Sequence, residues 1–239
     1  MGWTFYNASG EALTNFGPVA LTDLDIDGAT DIGANIADAD LFIIDDGAGG
    51  TNRKTAASRL KTYIGGAGLV LIGTAVADDD ATLTITGLDS TYDSYLIELS
   101  NMVPATDGAT PVLRVGDSGG VDSGACDYVY LLAAFTDTTN TPENQADTGV
   151  SAIGWGHSGV GNAAGEGLGA LLTLHRPGDG SMKPLISGHS VYNYTTGNLR
   201  GNSIMGQRSA VITLDRVQFL WNAGCIKEGR MTVWGMGHA

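Results

Sequence analysis

A run of alternating acids near the N-terminus is the stretch of this sequence closest to a metal-binding pattern. Between Asp23 and Asp31, acids stand at positions 1, 3, 5 and 9 of a calcium loop, and Gly28 stands at position 6. The twelfth position, which should supply a bidentate glutamate, is Ala34. Losing that ligand removes most of the affinity for calcium. The pattern therefore predicts an acidic loop or edge strand, and we expect no bound metal or other cofactor.

The histidines are a second set of candidate metal ligands. They are His157, His175, His189 and His238. They form neither H-x-x-x-H nor H-E-x-x-H. His175 and His189 flank a predicted turn, which would allow them to be cross-strand neighbours, but imidazoles on strands are more often ordinary polar side chains. Ser158 beside His157 does not form a catalytic triad, because sequence neighbours on a strand face opposite ways and no nucleophile elbow is present.

Other patterns that could support chemistry are weak. The glycine-rich run 159–167 lacks the strand–turn–helix context of a dinucleotide site, so it predicts a mobile or closely packed loop. No pair stands out among the 26 acids as the two carboxylates of a glycosidase. Aromatic side chains can stack on sugars, but we expect most of these five in the core or in a subunit interface: Trp155, Tyr192, Tyr194, Trp221 and Trp234. The sequence therefore favours a structural or binding protein and not an enzyme.

The composition favours turns and strands in an acidic protein. Charged residues make up 16% of the chain, against a usual share of about 25%. Glycine supplies 36 of the 239 residues, without a collagen period. The net charge of −14 repels nucleic acid and anionic membranes. No apolar run of 18 residues predicts a membrane span, and no signal peptide is recognisable, so we expect the protein in the cytoplasm of the cell that makes it.

The only cysteines are Cys126 and Cys225. In a reducing compartment, two thiols are expected to be buried small side chains and not a disulfide.

The first part of the chain, residues 1–67, combines acids with a basic cluster. Nine acidic residues lie between Glu11 and Asp46. A short apolar strand at 40–46 precedes a glycine turn. A helix is predicted over 55–64, with Thr55 as its cap and a glycine pair at its end. Ten residues are too few for a stable isolated helix, so it must pack on something.

The second part, residues 68–239, predicts many short strands. About eleven apolar or alternating runs recur between turn signals, with no helix between them: 69–76, 81–86, 93–100, 111–116, 127–134, 151–155, 168–175, 184–194, 209–213, 216–221 and 229–235. This spacing predicts an all-β fold, an antiparallel, jelly-roll-like β-sandwich that follows a small N-terminal segment with one short helix. Tandem repeats are not visible, which argues against a propeller or solenoid.

Residues 38–46, 49–55 and 58–60 form a unit of acid, apolar strand, acid, glycine turn, basic-Thr and short helix ending in leucine. This unit resembles the N-terminal segment of many phage fibre proteins, in which it precedes a distal domain. The stretch 22–64 looks especially like fibre or tail proteins of phages that infect marine and related bacteria. The stretches 87–95, 103–108, 113–118 and 216–219 resemble the distal β domains of the same proteins.

The resemblance covers nearly the whole chain and implies a role in the virion without catalytic chemistry. It implies a homotrimer whose partners are other virion proteins, of the tail, portal region or capsid, and a host surface glycan or protein. Low charge with abundant glycine and alanine independently suits the close approach of subunits. A head fibre or capsid decoration protein, and a lectin-like carbohydrate-binding module, remain alternative hypotheses. A depolymerase comes last.

Two groups of residues follow as site predictions. Particle attachment is assigned to apolar and basic side chains of residues 1–67: Phe42, Ile44, Arg53, Lys54, Arg59 and Leu60. Host contact is assigned to four turn-rich stretches, 117–126, 136–149, 156–167 and 194–206, because loops on a rigid sandwich gather binding residues. Their candidate residues are Asp122, Asn140, Asn144, Asn162 and Asn198.

Overall fold

The structure is a computed structural model. It describes Ser9 and residues 33–45, 52–64, 68–156, 158–175 and 179–237. The chain divides into two compact units, Met1–Thr62 and Tyr63–Ala239. The calcium-like run 23–31, His157 and His238 lie outside the described residues.

The described part of the first unit is a β-hairpin followed by a helix. Strand β1 (Leu41–Asp45) pairs antiparallel with β2 (Asn52–Ala56), and helix α1 spans Ala57–Ile64. The predicted helix therefore begins two residues too early, because Thr55 belongs to β2. Backbone carbonyls replace it as the cap: the N–H of Ala57 donates to the oxygen of Asp40 at 2.8 Å. This bond satisfies one of the helix N–H groups that have no partner within the helix.

Strands β3 to β15 belong to the second unit. Their bounds are β3 (Leu69–Asp80), β4 (Leu83–Thr86), β5 (Ser94–Pro104), β6 (Pro111–Asp117), β7 (Gly120–Val121), β8 (Tyr128–Thr136), β9 (Thr139–Val150), β10 (Ile153–Gly154), β11 (Leu168–His175), β12 (Leu185–Asn193), β13 (Leu199–Arg208), β14 (Arg216–Trp221) and β15 (Ile226–Met236).

Within the described residues these strands form two antiparallel sheets. The larger sheet has the order β3-β15-β5-β11-β12-β13-β8-β9, and the smaller has the order β10-β6-β14-β4 with β7 paired to β6. The two sheets pack as a sandwich around one hydrophobic core. The predicted all-β antiparallel sandwich is confirmed.

Alternation along the strands builds this core. In β14, Val217, Phe219 and Trp221 are buried, as their period of two predicts. The Phe219 ring lies 5.9 Å from that of Trp155 and 5.3 Å from that of Trp221, centre to centre. The sheets also approach closely at Gly206 of β13, where an added Cβ would lie 2.6 Å from a side-chain carbon of Ile153.

Several local predictions are wrong. The run 209–213 is not a strand: it is an irregular connection in which Ile212 and the following Leu214 pack on the core while Val211 is exposed. The stretches 136–149 and 194–206 are not loops: β9 fills most of the first and β13 most of the second. Cys126 is exposed and Cys225 half-buried, so the expected burial does not hold; neither thiol is in a disulfide.

The larger sheet has two distinguishable ends. At one end the N–H of Gly237 donates to the oxygen of Gly68 at 3.0 Å, and β3 begins beside the end of β15. We call this the proximal end, because the chain enters the sandwich there from the preceding residues. At the opposite, distal end, β3, β5, β8 and β12 finish while β11, β13 and β15 begin.

Candidate functional site

An open groove lies at the distal end, on the larger sheet. Its volume is about 530 Å³. Strands and a loop both line it: Asn101, Val103, residues 162–169, Val191, Tyr192, Asn193, Leu199, Lys227 and Glu228. We call it the distal groove.

A β-bulge shapes one wall of the distal groove. Asn101 has a φ of 52°, in the left-handed region that asparagine tolerates better than most residues. The pairing of β5 with β15 shifts register on both sides of Glu228, and that of β5 with β11 shifts between Leu168 and Ala170. Gly229 of β15 lies so close to β5 that an added Cβ would be 2.8 Å from the Asn101 oxygen. Bulges of this kind change the direction in which side chains point.

The loop 160–167 forms the opposite wall and is tied down by hydrogen bonds. The N–H of Gly161 donates to the oxygen of Asn193 at 2.9 Å, and the N–H of Asn193 donates to the oxygen of Gly167 at 3.1 Å. The amide of Asn162 donates to the oxygen of Ala105 at 3.1 Å. This stretch is therefore a closely packed loop, one of the two outcomes its glycine pattern predicted.

Glu166 closes the turn within the same loop. Its carboxylate accepts a hydrogen bond from the N–H of Ala163 at 2.9 Å, and the N–H of Glu166 donates to the oxygen of Ala163 at 3.0 Å. The carboxylate also lies against the backbone of Gly161, where a Cβ would be 2.1 Å from it. A side chain at residue 161 would therefore displace Glu166 from the groove wall.

Arg200 supports the distal end from the core side of the sheet. Its Nη1 donates to the Ser158 hydroxyl at 2.6 Å and lies 3.4 Å from a carboxylate oxygen of Glu143. The guanidinium also lies 4.6 Å from the centre of the Tyr194 ring, which is within cation–π range. The amide of Asn202 donates to the backbone oxygen of Trp155. These contacts join β9, β13 and the loops that follow β10 and β12.

The groove offers hydrogen-bonding groups beside a small apolar floor. Asparagine amides, two carboxylates and the Lys227 ammonium supply donors and acceptors, while Val191 and Leu199 are 51% and 52% exposed. Such a mixture can hold a hydroxyl-rich ligand in one orientation. Of the five aromatic residues that could stack on sugars, Trp155, Tyr192 and Trp221 are buried in the core, as was expected of most of them.

The structure separates the five predicted host-contact residues. Asn162 lines the distal groove, and Asn198 lies at the distal end, where its amide oxygen accepts a hydrogen bond from Thr196. Asn140 lies near the start of β9, and Asn144 is exposed in the middle of β9. Asp122 is at the proximal end, where its carboxylate pairs with Arg208 Nε at 2.8 Å. The groove residues Asn101, Lys227 and Glu228 were missed, because they belong to bulged strands that carry no loop signal.

The predicted attachment residues lie on the hairpin and helix of the first unit. Register places Ile44 opposite Arg53, and both are exposed. Phe42 and Leu60 are half-buried, and Lys54 and Arg59 are exposed. The most exposed apolar residues of β1 are Leu41 at 61% and Ile43 at 66%, and neither is among the predicted attachment residues.

The described residues contain no cluster of potential metal ligands. Across the described residues, no group of three or more His, Cys, Asp and Glu side chains is placed to hold an ion. His175 lies opposite Leu185, and His189 lies opposite Leu171, so the two histidines are not cross-strand neighbours. Nε2 of His175 instead lies within hydrogen-bonding distance of the Ser187 hydroxyl, at 3.0 Å.

Comparisons with family models, curated proteins and solved structures found no significant match to this chain. No helix in the described part of the chain is long and apolar enough to cross a membrane.

Proposed function

We propose that this chain is a structural virion protein of a bacteriophage, a trimeric fibre subunit. Its N-terminal segment attaches to the particle, and its β-sandwich contacts the host surface. In this proposal the protein is not an enzyme, and it resides in the virion after synthesis in the cytoplasm of the host bacterium. Its partners are two further copies of itself, other virion proteins and a glycan or protein of the host surface.

The polarity of the sandwich is the observation that carries this proposal. The chain enters the sandwich at Gly68, at the proximal end, whereas the distal groove lies at the other end of the same strands. An extended virion protein needs this order, because the surface that meets the host must lie far from the point of attachment. The resemblance of residues 38–60 to fibre attachment segments supports the same direction.

The groove also supports a lectin-like module as a second candidate. Its amides and carboxylates suit sugar hydroxyls whether or not the protein belongs to a particle. The two hypotheses differ in the first unit, which a free-standing lectin does not need for binding. Imaging of the whole particle of the phage that encodes this chain discriminates between them. Density for the sandwich, with its distal end pointing outward, supports a fibre, and absence from the virion contradicts it.

Adsorption to host cells tests the distal groove itself. Lys227 lines the groove, and Lys183 is also exposed but lies at the proximal end, before β12. Particles that carry Lys227→Ala should adsorb more slowly than wild-type particles, whereas particles that carry Lys183→Ala should not. Unchanged adsorption in groove variants that retain the protein would favour a capsid decoration protein, which recognises nothing on the host.

A further inference from the structure

The outer face of the larger sheet departs from the pattern of a solvent-exposed sheet. A sandwich sheet usually alternates apolar residues toward the core with polar residues toward water. We define the outer face by the outward positions of four neighbouring strands: 129, 131, 133 and 135 of β8; 169, 171, 173 and 175 of β11; 185, 187, 189, 191 and 193 of β12; and 199, 201, 203, 205 and 207 of β13. At these described positions there is no Asp, Glu, Lys or Arg.

Large apolar side chains occupy much of this outer face. Seven of them are between 42% and 53% exposed: Leu131, Phe135, Leu171, Leu185, Val191, Leu199 and Met205. One row of paired residues crosses the whole larger sheet without a charge: Leu71, Trp234, Leu96, Thr173, Ser187, Met205, Leu131 and Ala146. A shallow depression of about 330 Å³ lies around Leu131, lined by Met205 on one side and by residues 144–146 of β9 on the other.

The smaller sheet provides an internal comparison. Its outward positions carry Thr84 and Thr86 on β4, Arg216, Gln218 and Leu220 on β14, and Val112 and Arg114 on β6. Five of these seven residues are polar and two of them are arginines, as alternation predicts. The absence of charge from the defined outer face of the larger sheet is therefore a property of that face and not only of the chain's low charge content.

We propose that the outer face of the larger sheet is where copies of this chain bind one another. This inference rests on the self-association included in the proposed function and names the surface that forms it. Charge favours a second copy as the occupant: two chains of net charge −14 repel through most of their surfaces, but these faces bring no like charges together. The same lack of cations gives nucleic acid or an anionic membrane nothing to bind.

The size of the outer face also suits a protein interface. Four strands about 4.8 Å apart and about nine residues long give a flat area on the order of 500 Å². A stable interface buries about 800 Å² on each partner, so it must extend onto the flanking strands. On β9 the outward Asn144, Ala146 and Thr148 are uncharged, whereas on β5 Glu98 stands beside Leu171. Val191 and Leu199 belong both to this face and to the distal groove, which places the groove at the boundary between copies.

Paired substitutions on the two sheets test the proposal. Leu131 and Met205 are cross-strand neighbours on the outer face, and Thr84 and Gln218 are cross-strand neighbours on the smaller sheet. We expect the full-length wild type to sediment at a multiple of 24.6 kDa at micromolar concentration. Leu131→Glu with Met205→Glu should reduce the mass to one chain, because it places two carboxylates in the interface. Thr84→Glu with Gln218→Glu should leave the mass unchanged.

Circular dichroism and thermal melting establish that each variant is folded, and Met205→Leu should retain the wild-type mass. A wild type that sediments at 24.6 kDa would overturn both the interface and the trimer of the proposed function. A multimer that survives the outer-face pair but dissociates with the smaller-sheet pair would overturn the interface alone. Either result differs from a failure of the virion assignment, which the particle images test.

Discussion

Two tyrosines, Tyr95 and Tyr128, each use the side-chain hydroxyl to hydrogen-bond the backbone of a loop at the proximal end. The hydroxyl of Tyr95 lies 2.9 Å from the backbone oxygen of Asp89, and the N–H of Asp89 donates back to it at 2.8 Å. The hydroxyl of Tyr128 likewise contacts the backbone oxygen of Asp122 at 2.9 Å. In both cases a buried ring at a strand start fixes a loop residue six positions earlier. The buried tyrosine rings therefore fix the positions of these loops.

Replacement of Tyr95 by Phe should destabilise the sandwich. The variant keeps the buried ring but removes the hydroxyl that hydrogen-bonds the Asp89 backbone. Because Asp89 is exposed and water can reach it, the loss is that of an ordinary hydrogen bond, about 1 kcal/mol. Urea denaturation monitored by tryptophan fluorescence measures this loss. An unchanged midpoint would mean that water replaces the hydroxyl without cost.

The raised pKa of Tyr95 predicts that the folded protein loses stability at alkaline pH. Burial is the main cause that raises the pKa of Tyr95 from 10.0 to about 12, and burial also raises the pKa of Tyr128. A raised folded-state pKa contributes stability that is present below pH 10 and is lost as the pH rises from about 10 to 12. Unfolding free energies measured across that range should fall for the wild type and fall less steeply for Tyr95→Phe. If the unfolding free energies of the wild type and of Tyr95→Phe fell in parallel with pH, ionisation of Tyr95 would not be the cause of the loss.

Element boundaries show which sequence signals are reliable. Strand β11 was predicted at its observed bounds because buried and outward residues alternate cleanly from Leu168 to His175. Strand β13 was missed because its inward residues include Arg200, Asn202 and Arg208, each of which donates a hydrogen bond to another part of the fold. Strand β9 was missed for the same reason. From sequence alone, a polar residue favours a loop, because the partner that it finds in the folded protein is not visible there.

Substitution of Arg208 tests how β13 is held at its proximal end. Arg208 lies 2.8 Å from the Asp122 carboxylate and 3.1 Å from that of Asp127, and its side chain is 11% exposed. Arg208→Met should cost about 3 kcal/mol, because it leaves two carboxylates facing each other without their cation. Thermal melting measures the loss. Arg216→Met is the control, since Arg216 pairs with the adjacent Asp215 at the surface and should cost less than about 1 kcal/mol.

The candidate site was only partly predictable for a related reason. Asn162 stood out because its run is rich in glycine and polar residues, which predicts a loop. Asn101 and Glu228 come from β5 and β15, and only the bulge between those strands turns them toward the groove. The position of a bulge depends on how two distant strands pair, and no local pattern in either strand encodes it.

At the scale of the whole molecule, removal of residues 1–62 should leave the sandwich folded. The two units are separately compact, and the core belongs to the second. Under the proposed function, the truncated chain should keep its melting temperature and its mass as a multimer but be missing from particles. Protein mass spectrometry of purified virions measures incorporation. Incorporation at the wild-type level would show that attachment does not depend on the first unit.

The direction in which β3 runs determines how the sandwich would respond to mechanical load. Strand β3 enters at the proximal end and pairs with β15 from Leu69 to Asp80. A pull between the preceding chain and a ligand in the distal groove acts along this strand, so it loads the β3–β15 hydrogen bonds in shear. Bonds loaded in shear resist together, whereas bonds that are peeled apart break one after another. Under the proposed function, this arrangement would resist tension between a particle and a cell.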